Sequence, residues 1–182
     1  MISKKYNGTS FIRDRMNEEI KRKEFFMLVR NVRESDYSYI ITRVNEWWGG
    51  RQMFQKLPRL FFSHFQETSF IIEDKNQIVA FLIGFISQTH PNEAYIHFVG
   101  VHPDERKKGY ARKLYHHFFE VIKQRGCNII KCVTSPINKT SIAFHTKMGF
   151  AIVESDIEID GISVQKDYDG PGQDRVVFQK II

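Results

Sequence analysis

The sequence predicts an α/β domain in which a mixed sheet carries helices on its faces, and three observations support that expectation. Short runs rich in β-branched and aromatic residues, separated by turn residues, recur along the chain. One long segment starting at Tyr110 has strict helical periodicity. Read from end to end, the order is strand, helices, three strands, helix, strand, helix, two strands, with no internal repeat. At 182 residues, 42% of them hydrophobic, the chain has apolar material for one domain with a substantial core.

Residues 1–24 read as a charged N-terminal extension, in which Phe11, Ile12, Met16 and Ile20 follow Thr9 and Ser10 at roughly helical spacing. An added helix and a loosely attached leader fit this pattern equally. The domain proper spans 25–182. It opens with a β-type run from Phe25 to Val32, after which Ser35 or Asp36 can cap a helix carrying Tyr39, Ile40, Val44 and Trp47. The stretch WWGGR, Trp47 to Arg51, breaks that helix, and Met53 to Phe65 is a second helical stretch interrupted by Pro58. The aromatics beside two glycines suit a hydrophobic plug under a loop, with a mobile pocket wall as the alternative.

Thr68 to Glu73 and Ile78 to Ser87 are strands joined by a turn of Asp74, Lys75 and Asn76, and Glu93 to Val101 is a further strand. From Tyr110, residues Ala111, Leu114, Tyr115, Phe118, Phe119 and Ile122 define one face of a helix that ends at Gly126. Asn128 to Thr134 is a buried-type strand, Asn138 to Met148 a helix closed by Gly149, Phe150 to Ile159 a strand, and Arg175 to Ile181 the last strand.

Composition narrows the function classes. The net charge of +6 is compatible with an anionic ligand, but charge alone is the whole case for a nucleic-acid partner, which is disfavoured. Cys127 and Cys132 lie outside any CxxC spacing in apolar surroundings, so they are expected as reduced core thiols of a cytoplasmic protein, with no metal site. The longest apolar run, Ile78 to Ile86, is too short to span a membrane. Neither GxxxxGK(S/T) nor GxGxxG occurs, which removes support for nucleotide hydrolysis and hydride transfer.

The stretch VGVHPDERKKGYA, Val99 to Ala111, carries the chemistry. A strand end leads through a turn to a glycine at a helix start, where backbone N–H groups lack partners and a partial positive charge develops. Gly109 occupies that place, with Arg106, Lys107, Lys108 and Arg112 around it. Cations at a helix N-terminus oppose the dipole, so their placement indicates an anion, and phosphate bonds to such groups are charge-assisted.

This stretch resembles the GNAT superfamily of acetyl-CoA-dependent N-acetyltransferases, in which a VxV strand end precedes an R/Q-x-x-G-x-G/A loop and helix. Val99, Gly100 and Val101, then Arg106, Lys107, Lys108, Gly109, Tyr110 and Ala111, match it throughout. NKTSIAFHTKMGF, Asn138 to Phe150, is similar to the family's second motif. The resemblance implies a mostly antiparallel sheet of about six to seven strands flanked by helices, acetyl-CoA as co-substrate and no metal. It further implies that backbone at Val99–Val101 pairs with the pantetheine arm, that amides from Lys107 to Arg112 hold the pyrophosphate, and that Asn138 approaches the pantetheine or acetyl end, with Ser141 one turn further along the same helix as a further cofactor contact. His145 stands where many members place a tyrosine that protonates the departing thiolate.

The family's base comes from the strand ending in VxV, at a position that falls on Tyr95, so it does not carry over directly. Glu93 and His97 are the substitutes, and a strict period of two puts both on one face with Tyr95, opposite Ala94, Ile96 and Phe98. Between 151 and 174 seven carboxylates face one lysine; this fits a solvated hairpin and also a small, cationic primary amine as acceptor. The loop DYDGPGQDR, Asp167 to Arg175, is expected to project beside WWGGR. The function so indicated is acetyl transfer to such an amine in a ternary complex, by a monomer or homodimer. The departures at Tyr95 and His145 leave a non-catalytic acyl-CoA-binding module as the alternative.

Overall fold

A computed structural model of the chain describes residues 27–182, so the N-terminal extension and the phenylalanines at 25 and 26 lie outside the described residues. The strands are β1 (Met27–Asn31), β2 (Phe70–Asp74), β3 (Gln77–Ile86), β4 (Glu93–Val101), β5 (Ile129–Thr134), β6 (Ala151–Ile152), β7 (Glu158–Ile159), β8 (Ile162–Ser163) and β9 (Val176–Ile181). The helices are α1 (Asp36–Ile41), α2 (Val44–Trp47), α3 (Leu60–His64), α4 (Tyr110–Gln124) and α5 (Lys139–Lys147). A seven-stranded sheet has the order β1-β2-β3-β4-β5-β9-β6, and β7-β8 is a separate hairpin. Every pair is antiparallel except β4–β5, as the resemblance implied.

Local chemistry explains most boundaries. Lys75 and Asn76 both adopt positive φ, as a two-residue hairpin turn matched to strand twist requires. The helix expected across Tyr39 to Trp47 is instead two short helices, parted at Thr42 and Arg43, where the Thr42 hydroxyl bonds back to the Ser38 and Tyr39 carbonyls, and neither expected cap forms: Ser35 makes no side-chain cap bond. Asp36 turns back to accept from the Arg33 amide at 2.7 Å and from Arg30 at 2.7 and 2.9 Å, and Arg30 also pairs with Glu73 at 2.5 Å. The strand expected from Phe150 to Ile159 shrinks to Ala151–Ile152, since the chain then leaves the sheet for the β7–β8 hairpin, which turns at Asp160 and Gly161 with positive φ.

The sheet has a core on each face. Leu114, Tyr115, Phe118, Phe119 and Ile122 of α4, with Ile142 of α5, pack on one side against Ala94, Ile96, Ile130, Cys132 and Phe178. On the other side Ile40, Val44, Trp47, Leu57 and Phe62 pack against Ile71, Phe81, Ile83 and Phe98. Cys127 and Cys132 are free and buried, as expected. The WWGGR stretch is the plug: Trp47 is buried against Phe81 and His102, and Trp48 packs on Phe98.

A β-bulge alters the facing of β4. Ile83 pairs with Phe98 and Gly84 with Ile96, so His97 is an extra residue opposite that step. Phe98 therefore joins the α1–α3 core while Ile96 remains in the α4 core, so the expected Ala94–Ile96–Phe98 face does not form. Beyond the bulge Gly100 points at the second core, where an added Cβ would lie 2.4 Å from Phe81 and 2.9 Å from Trp48. Gly100→Ala is therefore expected to cost about 1–3 kcal/mol by overpacking; the measure is a thermal midpoint lowered by several degrees.

Candidate active site

The parallel ladder between β4 and β5 runs only over Glu93–Tyr95 and Ile129–Lys131. Beyond it β4 stays with β3 as far as Val101, and β5 stays with β9 as far as Thr134. Between these two halves the inner edge of β4 at Val99–Val101 has no strand partner among the described residues, so an amide-bearing arm has room to pair there.

At the outer end of this opening the chain builds a cradle of backbone amides. Lys107 and Gly109 both have positive φ, which turns successive amides toward one side. The first bond of α4 runs from the Lys113 amide to the Gly109 carbonyl at 3.0 Å, and the amides from Lys107 to Arg112 have no acceptor among the described residues. A Cβ on Gly109 would meet nothing within 4 Å, so this glycine serves the left-handed turn and leaves the approach open. The motif's side chains divide their work. Arg106 donates to the carbonyls of Trp47 and Val101, Tyr110 donates to Asp74 at 3.0 Å, and Lys108 pairs with Glu105 at 2.7 Å. Lys107 and Arg112 have no ion pair among the described residues, and Ala111 leaves the first turn open.

At the start of α5, Asn138 caps the helix by accepting from the Ser141 amide at 3.2 Å and donates to Thr134 Oγ1 at 3.3 Å. His145, one turn beyond Ser141, is buried and stacked on Phe178 at 4.7 Å. Its Nδ1–H donates to the Ser141 carbonyl at 2.8 Å, and its Nε2 accepts from the Tyr115 hydroxyl at 2.8 Å. Burial is the main cause that lowers its pKa, opposed by the Ser141 carbonyl, so the ring is held neutral with both nitrogens engaged. Tyr115, its partner, lies 30 positions away on α4, and no local pattern in the sequence marks the pair.

Glu93 and His97 face the opposite side of the sheet from His145, so the three candidates do not form one constellation. Glu93 pairs with Lys131 at 2.9 Å. His97, on the bulge, bonds through Nε2 to the Lys56 carbonyl at 2.7 Å and stacks on Phe61 at 4.3 Å. A carbonyl partner requires Nε2–H, which leaves Nδ1 as a lone-pair acceptor. Burial again lowers the pKa, against the opposing effect of the Lys56 carbonyl.

The loop from Asp167 to Arg175 is tightly built. Asp167 accepts from the Gly172 amide at 2.6 Å, Asp174 from the Asp167 amide at 2.9 Å, and Asp169 from Arg175 Nε at 2.6 Å. Lys139 pairs with Asp160 at 2.8 Å. Much of the acidic stretch thus serves loop construction. Among the described residues there is no metal-binding cluster and no helix long and apolar enough to cross a membrane.

The acetyltransferase (GNAT) family pattern matches residues 25–150, well over half of the chain. This chain belongs to the GNAT acetyltransferase family. L-2,4-diaminobutyric acid acetyltransferase of Halalkalibacterium halodurans is 30% identical over 88 residues, which is 47% of this chain and 45% of that protein. The GNAT fold is also seen in Ard1 from Thermoplasma volcanium, with TM-score 0.70, 17% identity, and coverage of 86% of this chain and 98% of that one. Diaminobutyrate acetyltransferase EctA from Paenibacillus lautus, solved with its substrate and coenzyme A, gives TM-score 0.62 and 18% identity over 85% of this chain and 93% of that one. These structural likenesses establish the fold.

Burial lowers the pKa of His97, His117 and His145 below the ordinary 6.5. Below about 6.5 the unfolded chain takes up protons that the folded one refuses, so this stability is full above that pH and is lost as pH falls. Thermal midpoints are expected to drop between about pH 7 and 5. In the double variant Tyr115→Phe/His145→Phe, which removes one of the three groups without leaving the Tyr115 hydroxyl buried and unpaired, the drop should be shallower.

Proposed function

We propose that this chain is an N-acetyltransferase that moves an acetyl group from acetyl-CoA to a small primary amine arriving as a cation, by direct attack in a ternary complex. The observation that carries the reading is the join between the open inner edge of β4 and the amide cradle at Lys107–Arg112, a neutral groove ending in an anion site. That sequence of surfaces suits a pantetheine arm followed by a pyrophosphate. Backbone at Val99, Gly100 and Val101 takes the arm; Lys107, Arg112 and the Gly109 turn take the charge; Asn138 and Ser141 stand at the acetyl end. The thioester supplies an activated acyl group with a thiolate leaving group.

The amine must lose a proton before attack, since a lysine-like group has a pKa near 10.4. We assign that step to His97: it accepts the proton at Nδ1 while Nε2–H stays on the Lys56 carbonyl, and burial keeps the ring neutral and ready. Glu93, on the same face and held by Lys131, is the alternative acceptor. His145 has no spare nitrogen, so we leave protonation of a thiolate of pKa near 8.5 to water and give His145 a positioning role, holding Ser141 and the start of α5 through the Ser141 carbonyl. Holding the reactants together contributes most of the remaining acceleration. The two buried free thiols support a cytoplasmic setting.

Acetyl-CoA is expected to raise the thermal midpoint of the protein. Gly109→Asn, which tolerates the left-handed turn, should keep much of that shift, whereas Gly109→Asp, equal in size but negatively charged, should lose it; equal shifts in the two variants would remove the pyrophosphate assignment. Acetyl-CoA binding without release of free CoA thiol in the presence of any amine would mark a non-catalytic acyl-CoA-binding module instead.

In steady-state assays His97→Gln should lower kcat about 100-fold with little change in the amine KM, and should abolish an acidic limb of the pH–rate profile lying below about pH 6.5. Glu93→Gln should cost under about tenfold.

A further inference from the structure

Three aromatic rings on the α1–α3 face belong to neither core. Phe65 at the end of α3, Phe85 of β3 and Tyr95 of β4 are all half-buried. They pack on one another, with Phe65 5.5 Å from Phe85 and Phe85 stacked on its cross-strand partner Tyr95 at 5.4 Å. Phe61 extends the group, 6.5 Å from Phe85 and 4.3 Å from His97. A strip of rings thus runs from the end of α3 to the point where β4 and β5 part.

The loop from Asp167 to Arg175 comes near this strip. Asp169 lies close enough for its charge to act on Tyr95, whose hydroxyl is pushed up mainly by burial, and on His97. Asp169 is held by Arg175 at 2.6 Å, so the carboxylate beside the strip already has a cationic partner. Rings that contribute little to either core, set beside the candidate base and lacking a free carboxylate, make an apolar recognition surface.

Resting on the N-acetyltransferase reading, we propose that the acceptor is an arylalkylamine: a primary amine a few carbons from a flat aromatic group, whose ring lies against Phe61, Phe85 and Tyr95 while its nitrogen reaches His97. Offset and edge contacts between rings reward that shape. A polyamine or diamino acid would instead set a second charge against rings and against a carboxylate that Arg175 already holds.

The test follows free-thiol release from acetyl-CoA by the full chain with 2-phenylethylamine, tyramine, spermidine and L-2,4-diaminobutyrate. The aromatic amines are expected to have kcat/KM at least about tenfold above the other two. Phe85→Ala should lower kcat/KM for the aromatic amines about tenfold, mainly through KM, and so narrow the preference. Phe85→Leu, which keeps apolar volume without the flat face, should narrow it too, with the acetyl-CoA thermal shift reporting that both variants fold. Preference for spermidine or diaminobutyrate, or an unchanged ratio between amines in Phe85→Ala, would overturn the aromatic assignment and leave the acetyltransferase reading standing. Thiol release by no amine, with acetyl-CoA binding intact, would overturn both.

Discussion

The parting of β4 and β5 after a three-residue parallel ladder is the constraint on which the rest of the structure depends. Opening a sheet at its centre leaves backbone groups unpaired, at about 1–3 kcal/mol for each buried one, so adjacent strands remain together unless other bonds direct them apart. Here β4 is held by β3 through Val101, and its continuation into α4 is tied back by Tyr110 to Asp74 in the β2–β3 turn. β5 is held along its whole length by β9 and runs into α5 through Thr134 and Asn138. Each strand is thus bound outward more firmly than inward.

The sheet also partitions the chemistry. His145, Ser141 and Asn138 belong to the α4–α5 side, whereas His97, Glu93 and the rings of Phe61, Phe85 and Tyr95 belong to the side of α1–α3. The two histidines share lowered basicity for the same reason, burial, yet differ in what remains available. His145 has both nitrogens bonded, and His97 has one. Equal residue types therefore take unequal roles through the number of partners their surroundings supply.

Much of this was legible in the sequence where structure is local. The bounds of β4 coincide with the reading from alternation, α4 begins at Tyr110 as its periodicity requires, and the Lys75–Asn76 turn follows from residues that tolerate positive φ. What escaped depends on distant partners. The bulge at His97 is set by the register of β3, and it moved Phe98 across the sheet against a strict period of two. Asp36, a plausible cap by its position, is drawn instead to Arg30 and through it to Glu73, 37 positions beyond Asp36 in the sequence. In the same way the left-handed turn at Gly109 could be located from its motif, whereas the burial of His145 and the strip of rings could not.

The side chains behind the cradle have an energetic consequence for binding. Arg106 is fixed to the Trp47 carbonyl and Tyr110 to Asp74, so the loop and helix start are braced from the protein interior. Ordering a loop around a ligand subtracts from affinity, by about 0.5–1.5 kcal/mol for each immobilised side chain. In this chain that loss of freedom is incurred once, during folding, so a diphosphate bound there as proposed would owe little further ordering cost.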